Sequence, residues 1–189
     1  MGRCSNDADF VALNIAVLTV SDTRTLDTDT SGQTLVDRLE AVGHRLQARA
    51  IVKDDVYQLR AQVSAWIADP QVHVILSTGG TGFSHRDSTP EALQPLFDKQ
   101  VEGFGELFRS LSFEEIGTST IQSRATGGLA NATFIFVLPG SPGACKDAWD
   151  GILKAQLDYR HMPCNFVEIM PRLNEHLRRG ATASSTAKA

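Results

Sequence analysis

A three-layer α/β/α fold around a mostly parallel sheet is predicted by three observations in the sequence. Short β-branched apolar runs, at 15–20 and 134–138, have the composition of strands buried on both faces. Amphipathic stretches of helical length separate the runs, as crossovers between parallel strands require. Loops rich in glycine or acid leave the strands at their carboxyl ends, where sheets of this kind bind ligands.

The run at 15–20 is the first strand. After a polar loop, Leu35, Val36, Leu39 and Val42 recur at helical spacing, and Gly43 stops that helix. Residues 46–52 read as the second strand. Leu59, Val63, Trp66 and Ile67 mark a second helix, ended at Asp69-Pro70. The third strand, 72–76, runs towards Thr78-Gly79-Gly80-Thr81-Gly82. Thr89-Pro90-Glu91 reads as an N-cap, a proline at the first helical position and a first-turn acid. The stretch 99–128 mixes Gly103, Gly105, Gly117, Gly127 and Gly128 with short helical patterns and yields no single assignment. The strand at 134–138 precedes Pro139-Gly140-Ser141-Pro142-Gly143, and Ala148, Ile152, Leu153 and Leu157 mark the last helix. A flexible N-terminus at 1–12, one domain at 13–177 and a disordered tail at 178–189 are expected. The tail's small polar residues cannot offset the entropy of ordering it.

Composition narrows the function. The 189 residues carry 18 basic and 22 acidic side chains, a net charge of −4, which argues against a protein that wraps nucleic acid. Cys4, Cys145 and Cys164 are far apart, and no two histidines lie at i, i+4. Neither a disulfide framework nor a zinc site is expected. The apolar stretch 10–20 is too short to span a bilayer, and Asp7 and Asp9 before it argue against a signal peptide. A cytoplasmic protein without membrane or nucleic-acid partners is expected.

The segment 78–92, TGGTGFSHRDSTPEA, is the densest chemical feature. Glycines at 79, 80 and 82 allow positive φ and expose backbone amides, and a run of amides beside a helix start suits phosphate. No lysine follows at the spacing of a P-loop, and the dinucleotide fingerprint is absent. Asp87 reads either as a dipole-complementing acid or as a ligand of a hard cation. Asp27 and Asp29, ahead of Ser31-Gly32, are candidates for a second carboxylate, with helix capping as the alternative. Arg109, Arg124 and Lys146 are candidate anion contacts or ordinary surface charges. Read from the residues alone, the chain is a phosphate- or nucleotide-handling α/β domain with a candidate Mg²⁺ site.

The pattern T-G-G-T-G-x-x-x-R-D-x-T-P-E-A at 78–92 resembles the molybdenum cofactor biosynthesis domain shared by the MogA and MoaB proteins and the first domain of gephyrin. Leu18-Thr19-Val20-Ser21-Asp22, Thr30-Ser31-Gly32, Gly103-Phe104-Gly105-Glu106, Ser123-Arg124-Ala125 and Leu138-Pro139-Gly140 are similar too, over about residues 13–165. Two stretches, 60–67 and 113–119, look most like the bacterial protein B branch. The resemblance implies a Mg²⁺-dependent adenylylation of molybdopterin by ATP, releasing pyrophosphate. It gives Asp87 and Asp29 the metal and the reacting phosphates. Thr78, Gly79, Gly80, Thr81 and Gly82 would hold the nucleotide phosphates, with Pro139 and Gly140 on the adenine side. Ser31, Arg86, Glu106, Ser123 and Arg124 would face the pterin. It also implies a homotrimer, or a hexamer of two trimers, and other molybdenum cofactor biosynthesis proteins as partners. A molybdopterin-binding or scaffolding homologue without turnover is the alternative.

Overall fold

The computed structural model describes residues 3–4 and 9–173. The tail expected at 178–189 and half of the N-terminal segment, residues 1–2 and 5–8, lie outside the described residues. In chain order the strands are β1 (Arg3–Cys4), β2 (Asn14–Val20), β3 (Arg45–Val52), β4 (Val74–Thr78), β5 (Lys99–Gln100), β6 (Thr126–Ala130), β7 (Thr133–Leu138) and β8 (His161–Met162). The helices are α1 (Thr30–Ala41), α2 (Val56–Ala68), α3 (Thr89–Leu93), α4 (Glu102–Ile116), α5 (Pro142–Ala148), α6 (Lys154–Gln156) and α7 (Phe166–Leu173). A π-helical turn, Trp149–Leu153, joins α5 to α6.

The chain divides into two compact units. One is Ala12–Lys154. The other combines the described residues up to Val11 with those from Ala155, and in it β1 pairs antiparallel with β8.

In the larger unit six strands form one sheet in the order β3-β2-β4-β7-β6-β5. The first four run parallel, β6 pairs antiparallel with β7, and β5 at the edge pairs antiparallel with β6. Successive side chains of a strand point to opposite faces, so β2 and β4 feed two cores. Ala16, Leu18, Val20 and Ile75 pack with Leu59, Val63 and Trp66 of α2 and Ala92 and Leu93 of α3. The alternate residues Ile15, Val17 and Leu76 are also fully buried, on the face covered by α1, α4 and α5. The three-layer arrangement with a mostly parallel sheet is therefore present.

Three local assignments differ from the sequence reading. Strand β4 reaches Thr78, so the glycine turn begins directly at its end. The residue preceding α3 is Ser88, not Thr89, and the Thr89 hydroxyl instead donates to the Gly79 carbonyl at 2.9 Å. The unassigned stretch 99–128 holds the 15-residue α4 and two strands. Gly117 ends α4 at a positive φ of +58°, whereas Gly105, Gly127 and Gly128 are packing positions. A Cβ on Gly105 would come 2.5 Å from the Ala125 carbonyl, and one on Gly127 would come 3.0 Å from the Phe136 ring. Helix α7 and strand β8, past Leu157, were not anticipated. Trp66 and Trp149 are core residues, as expected.

Candidate functional site

Parallel strands deliver their loops to one edge, and here the loops after β2, β4 and β7 touch. The Gly79 amide donates to the Leu138 carbonyl at 3.1 Å. The Ser31 hydroxyl donates to the Gly140 carbonyl at 2.7 Å, and the Thr78 hydroxyl donates to the Pro139 carbonyl at 2.8 Å. A Cβ on Gly140 would come 3.1 Å from the Gly79 Cα, and one on Gly79 would meet the Val20 carbonyl. Only glycine permits that approach, and Gly79 and Gly80 also hold positive φ, +101° and +63°. Ser21, Arg24, Thr30, Ser31, Gly79 and Gly140 line a small cavity of about 80 Å³ between the three loops.

The residues around this junction differ sharply in how they are engaged. Asp29 is buried and caps α1, its carboxylate accepting from the Gly32 amide at 2.9 Å. Its other oxygen accepts from the Thr19 hydroxyl at 2.7 Å and from the Arg49 guanidinium at 2.9 Å. Each oxygen accepts from at least one protein donor, and the charge is matched by a half-buried arginine. Asp29 thus caps α1 and is braced by Arg49, and it also lines the small cavity between the three loops. Asp27, the competing acid, is exposed and lines none of the cavities described here.

Asp87 is placed quite differently. It is partly exposed, and Oδ2 accepts from the amide and hydroxyl of Ser84. The Ser84 hydroxyl, ahead of the Ser84 and Gly82 amides and the Arg124 charge, holds its carboxyl below the usual carboxylate range. A Cβ on Gly82 would come 2.6 Å from the same oxygen, so Gly82 is needed for close approach rather than for positive φ. The four-residue amide run therefore is not wholly open: Gly79 donates to Leu138, and Gly82 lies against Asp87.

Asp54, which the sequence reading passed over, completes the edge. It leaves the end of β3 and accepts from the Ser88 amide at 3.1 Å and the Ser88 hydroxyl at 2.6 Å. A Cβ on Gly80 would come 2.5 Å from its Oδ2 and would also meet the Thr89 hydroxyl. Burial pushes the Asp54 carboxyl up, with the charges of Asp87 and Asp22 adding to that shift. An acid directly after a strand was the available signal, but Asp55 next to it caps α2 through Tyr57 and Gln58 and masks it. Asp22 pairs with Arg86, which is largely exposed. Among the described residues no three histidine, cysteine or acidic groups stand together as a self-sufficient metal site.

Of the residues expected to face the pterin, Ser31 lines the small cavity, Arg86 lines none of the cavities described here, and the other three divide between two larger ones. Glu106 and Arg124 line a polar cleft of about 480 Å³ with Glu91, Gln100, Glu102 and Arg109. Ser123 lines a more apolar cavity of about 340 Å³ with Phe108, Ile116, Pro139, Ser141 and Asp147. Arg124 is heavily committed: it donates to the carbonyls of Thr81 at 3.0 Å, Gly82 at 2.6 Å and Asp87 at 2.7 Å, and pairs with Glu91. Its guanidinium also lies 5.4 Å from the Phe83 ring centre. It is a strut for the 81–87 loop. Cys145, buried beneath Thr78, has its thiol pushed up to about 11 by burial and does not serve as a nucleophile at neutral pH.

Comparison with known proteins gives this edge a context. Residues 16–159 match the family model described as a probable molybdopterin binding domain. The chain is 58% identical over 158 residues to molybdenum cofactor biosynthesis protein B of Escherichia coli strain K12, covering 84% of this chain and 93% of that protein. It is 47% identical over 142 residues to the protein of the same name from Bacillus subtilis strain 168, covering 75% and 84%. Among solved structures, one of a molybdenum cofactor biosynthesis protein B superposes with a TM-score of 0.79 at 39% identity, covering 87% of this chain and 97% of the other. The tungsten cofactor synthesizing protein MoaB from Pyrococcus furiosus superposes with a TM-score of 0.68 at 34% identity, covering 76% and 91%.

Proposed function

The chain belongs to the molybdopterin binding domain family of molybdenum cofactor biosynthesis, and from that premise we propose that it is a Mg²⁺-dependent adenylyltransferase acting on molybdopterin and ATP. The observation that carries this reading is the meeting of the β2, β4 and β7 loops at one edge, with the carboxylates of Asp87 and Asp54 beside them. In the reaction, the terminal phosphate oxygen of the pterin attacks the α-phosphorus of ATP. The bond from that phosphorus to the bridging oxygen breaks, and its electron pair leaves on pyrophosphate. Such a transfer needs positioning and charge neutralisation more than a protein nucleophile.

Asp87 and Asp54, partly exposed carboxylates at this edge, are suited to hold Mg²⁺, and Asp29 lines the cavity between the loops beside them. Mg²⁺ is commonly bound by one or two carboxylates together with phosphate oxygens, so the lack of a third protein acid among the described residues suits it. When bound, the ion supplies neutralisation of the developing phosphate charge. Asp87 is anionic at neutral pH, and the Ser84 hydroxyl holds its carboxyl lower still. The glycines at 79 and 80 let phosphates approach the backbone, and Arg124 fixes the carbonyls of the loop that carries Asp87. Glu106 and Arg109, in the polar cleft, are suited to the donor and acceptor edges of a pterin.

A second reading has one feature in its favour. The Gly79 amide is already donated and Gly82 is packed on Asp87, which suits a molybdopterin-binding homologue without turnover. Incubation of the purified chain with molybdopterin, ATP and Mg²⁺ separates the two. Adenylyl-molybdopterin and stoichiometric pyrophosphate are expected. Tight molybdopterin binding with neither product would overturn the enzymatic reading in favour of the second.

A further inference from the structure

We infer that the groove between the β2–α1 loop and edge strand β3 is a diphosphate-binding site, formed by Arg24, Arg49 and Lys53. The groove has a volume of about 440 Å³ and is floored by Ala50 and Ile51, with Ser21 and Thr25 on its loop side. Its three cations come from two separate elements: Arg24 from the loop, Arg49 and Lys53 from β3 and the residue after it. Asp22 is the acid on its lining, and that charge is already matched by Arg86 at 3.2 Å. The chain as a whole is negative, so this concentration of positive charge runs against its average.

The cations differ in what they already hold. Arg49 gives Nη1 to Gln33 and Nη2 to Asp29 and its Nε is buried, so it walls the groove while its charge is already matched by Asp29. Arg24 spends one nitrogen on the Thr28 carbonyl. Lys53 has no side-chain acceptor among the described residues and is exposed. Charged side chains on an edge strand can serve only to block strand-to-strand association. That role does not require Arg24 to arrive from a different loop. Guanidinium and ammonium donors converging on an open, polar-rimmed groove match the adjacent phosphates of a diphosphate.

Ser21 and Arg24 also line the small cavity between the three strand-end loops, so the groove continues directly from it. The diphosphate could be the β,γ end of a nucleoside triphosphate or free pyrophosphate. The first source rests on the proposed adenylyltransferase reading, whereas the groove itself does not.

Calorimetric titration of the full chain with inorganic pyrophosphate tests the site. One equivalent is expected to bind, and Lys53→Gln and Arg24→Gln are each expected to weaken it by about tenfold, the scale of one charge-assisted contact. Arg45→Gln removes an exposed cation from the same strand outside the groove and is expected to leave binding unchanged. Absence of pyrophosphate binding, wild-type affinity in both groove variants, or equal weakening by Arg45→Gln would each overturn the site. Parallel titrations with ATP and AMP identify the source. A preference for ATP that disappears in the Arg24→Gln/Lys53→Gln double variant assigns the nucleotide tail. Failure of ATP to bind, with pyrophosphate binding still lost in the variants, sinks the adenylyltransferase reading but leaves the groove standing.

Discussion

The loop after β2 delivers its acid into the protein, whereas the loop after β4 keeps its acid at the surface. Asp29 is buried, caps a helix and is matched by Arg49. Asp87 is partly exposed, accepts from its own loop and has its carboxyl held low by Ser84. Both are aspartates in loops that follow adjacent parallel strands, yet their surroundings bury and brace one and leave the other partly open to solvent. The difference shows that motif membership does not fix a carboxylate's duty. Its donors do.

The largest effect expected from breaking this contrast comes from Asp29→Ala. Removing one partner of a buried, hydrogen-bonded pair strands the Arg49 charge and uncaps α1, at a cost of about 3–5 kcal/mol. Denaturant unfolding should show that loss, and a change below about 1 kcal/mol would refute the packing role. Asp87→Asn is the complementary case. It should lower adenylyl transfer by about 100-fold or more, in keeping with the loss of one electrostatic stabiliser, while moving the unfolding midpoint little. Turnover near wild type in that variant would remove Asp87 from the machinery.

A smaller effect is expected at the hinge between the two acids. Gly80→Ala forces a side chain into positive φ and towards Asp54 and Thr89, costing about 1–3 kcal/mol. It should also impair any activity the loop supports, and a fully active, fully stable alanine variant would show that the approach of Gly80 to Asp54 is dispensable.

The subtlest test sharpens the comparison through pH. Asp87 titrates lower in the folded chain than its ordinary value of 3.8, so its contribution is present above that value and fades as pH falls through the folded pKa. Asp54 is shifted the other way. The folded chain then binds a proton more readily than the unfolded one, and stability drains as pH rises from 3.8 through the folded pKa. Relative to wild type, Asp54→Asn should therefore gain stability on passing from pH 3.5 to 7, and Asp87→Asn should lose it. Urea midpoints at the two pH values measure both, and parallel behaviour of the variants would contradict the opposed environments.

Much of the sheet was legible because buried parallel strands leave continuous β-branched runs and their crossovers leave helical ones. The antiparallel edge was not. Gly127 and Gly128 fell in the stretch without a single assignment, yet they are positions of β6 cleared for the rings of Phe136 and Phe97. Gly103 and Gly105 likewise hid the start of α4. At the site, the glycine turn and the neighbouring Arg86-Asp87 pair stood out as chemistry. The contrast between Asp29 and Asp87, the part taken by Asp54 and the bracing by Arg124 did not, because each depends on partners distant in the chain.

The order of residues by itself determined a parallel α/β sheet, the strand ends that carry the loops, and the family to which the chain belongs. Periodicity and motif spacing are local properties, and local properties survive in a one-dimensional record. Only the tertiary structure decided which carboxylate is neutralised inside, which arginine is a strut, and where cations from two elements converge on one groove. Those outcomes depend on burial and on donors brought in from across the fold, and neither exists until the chain has closed on itself.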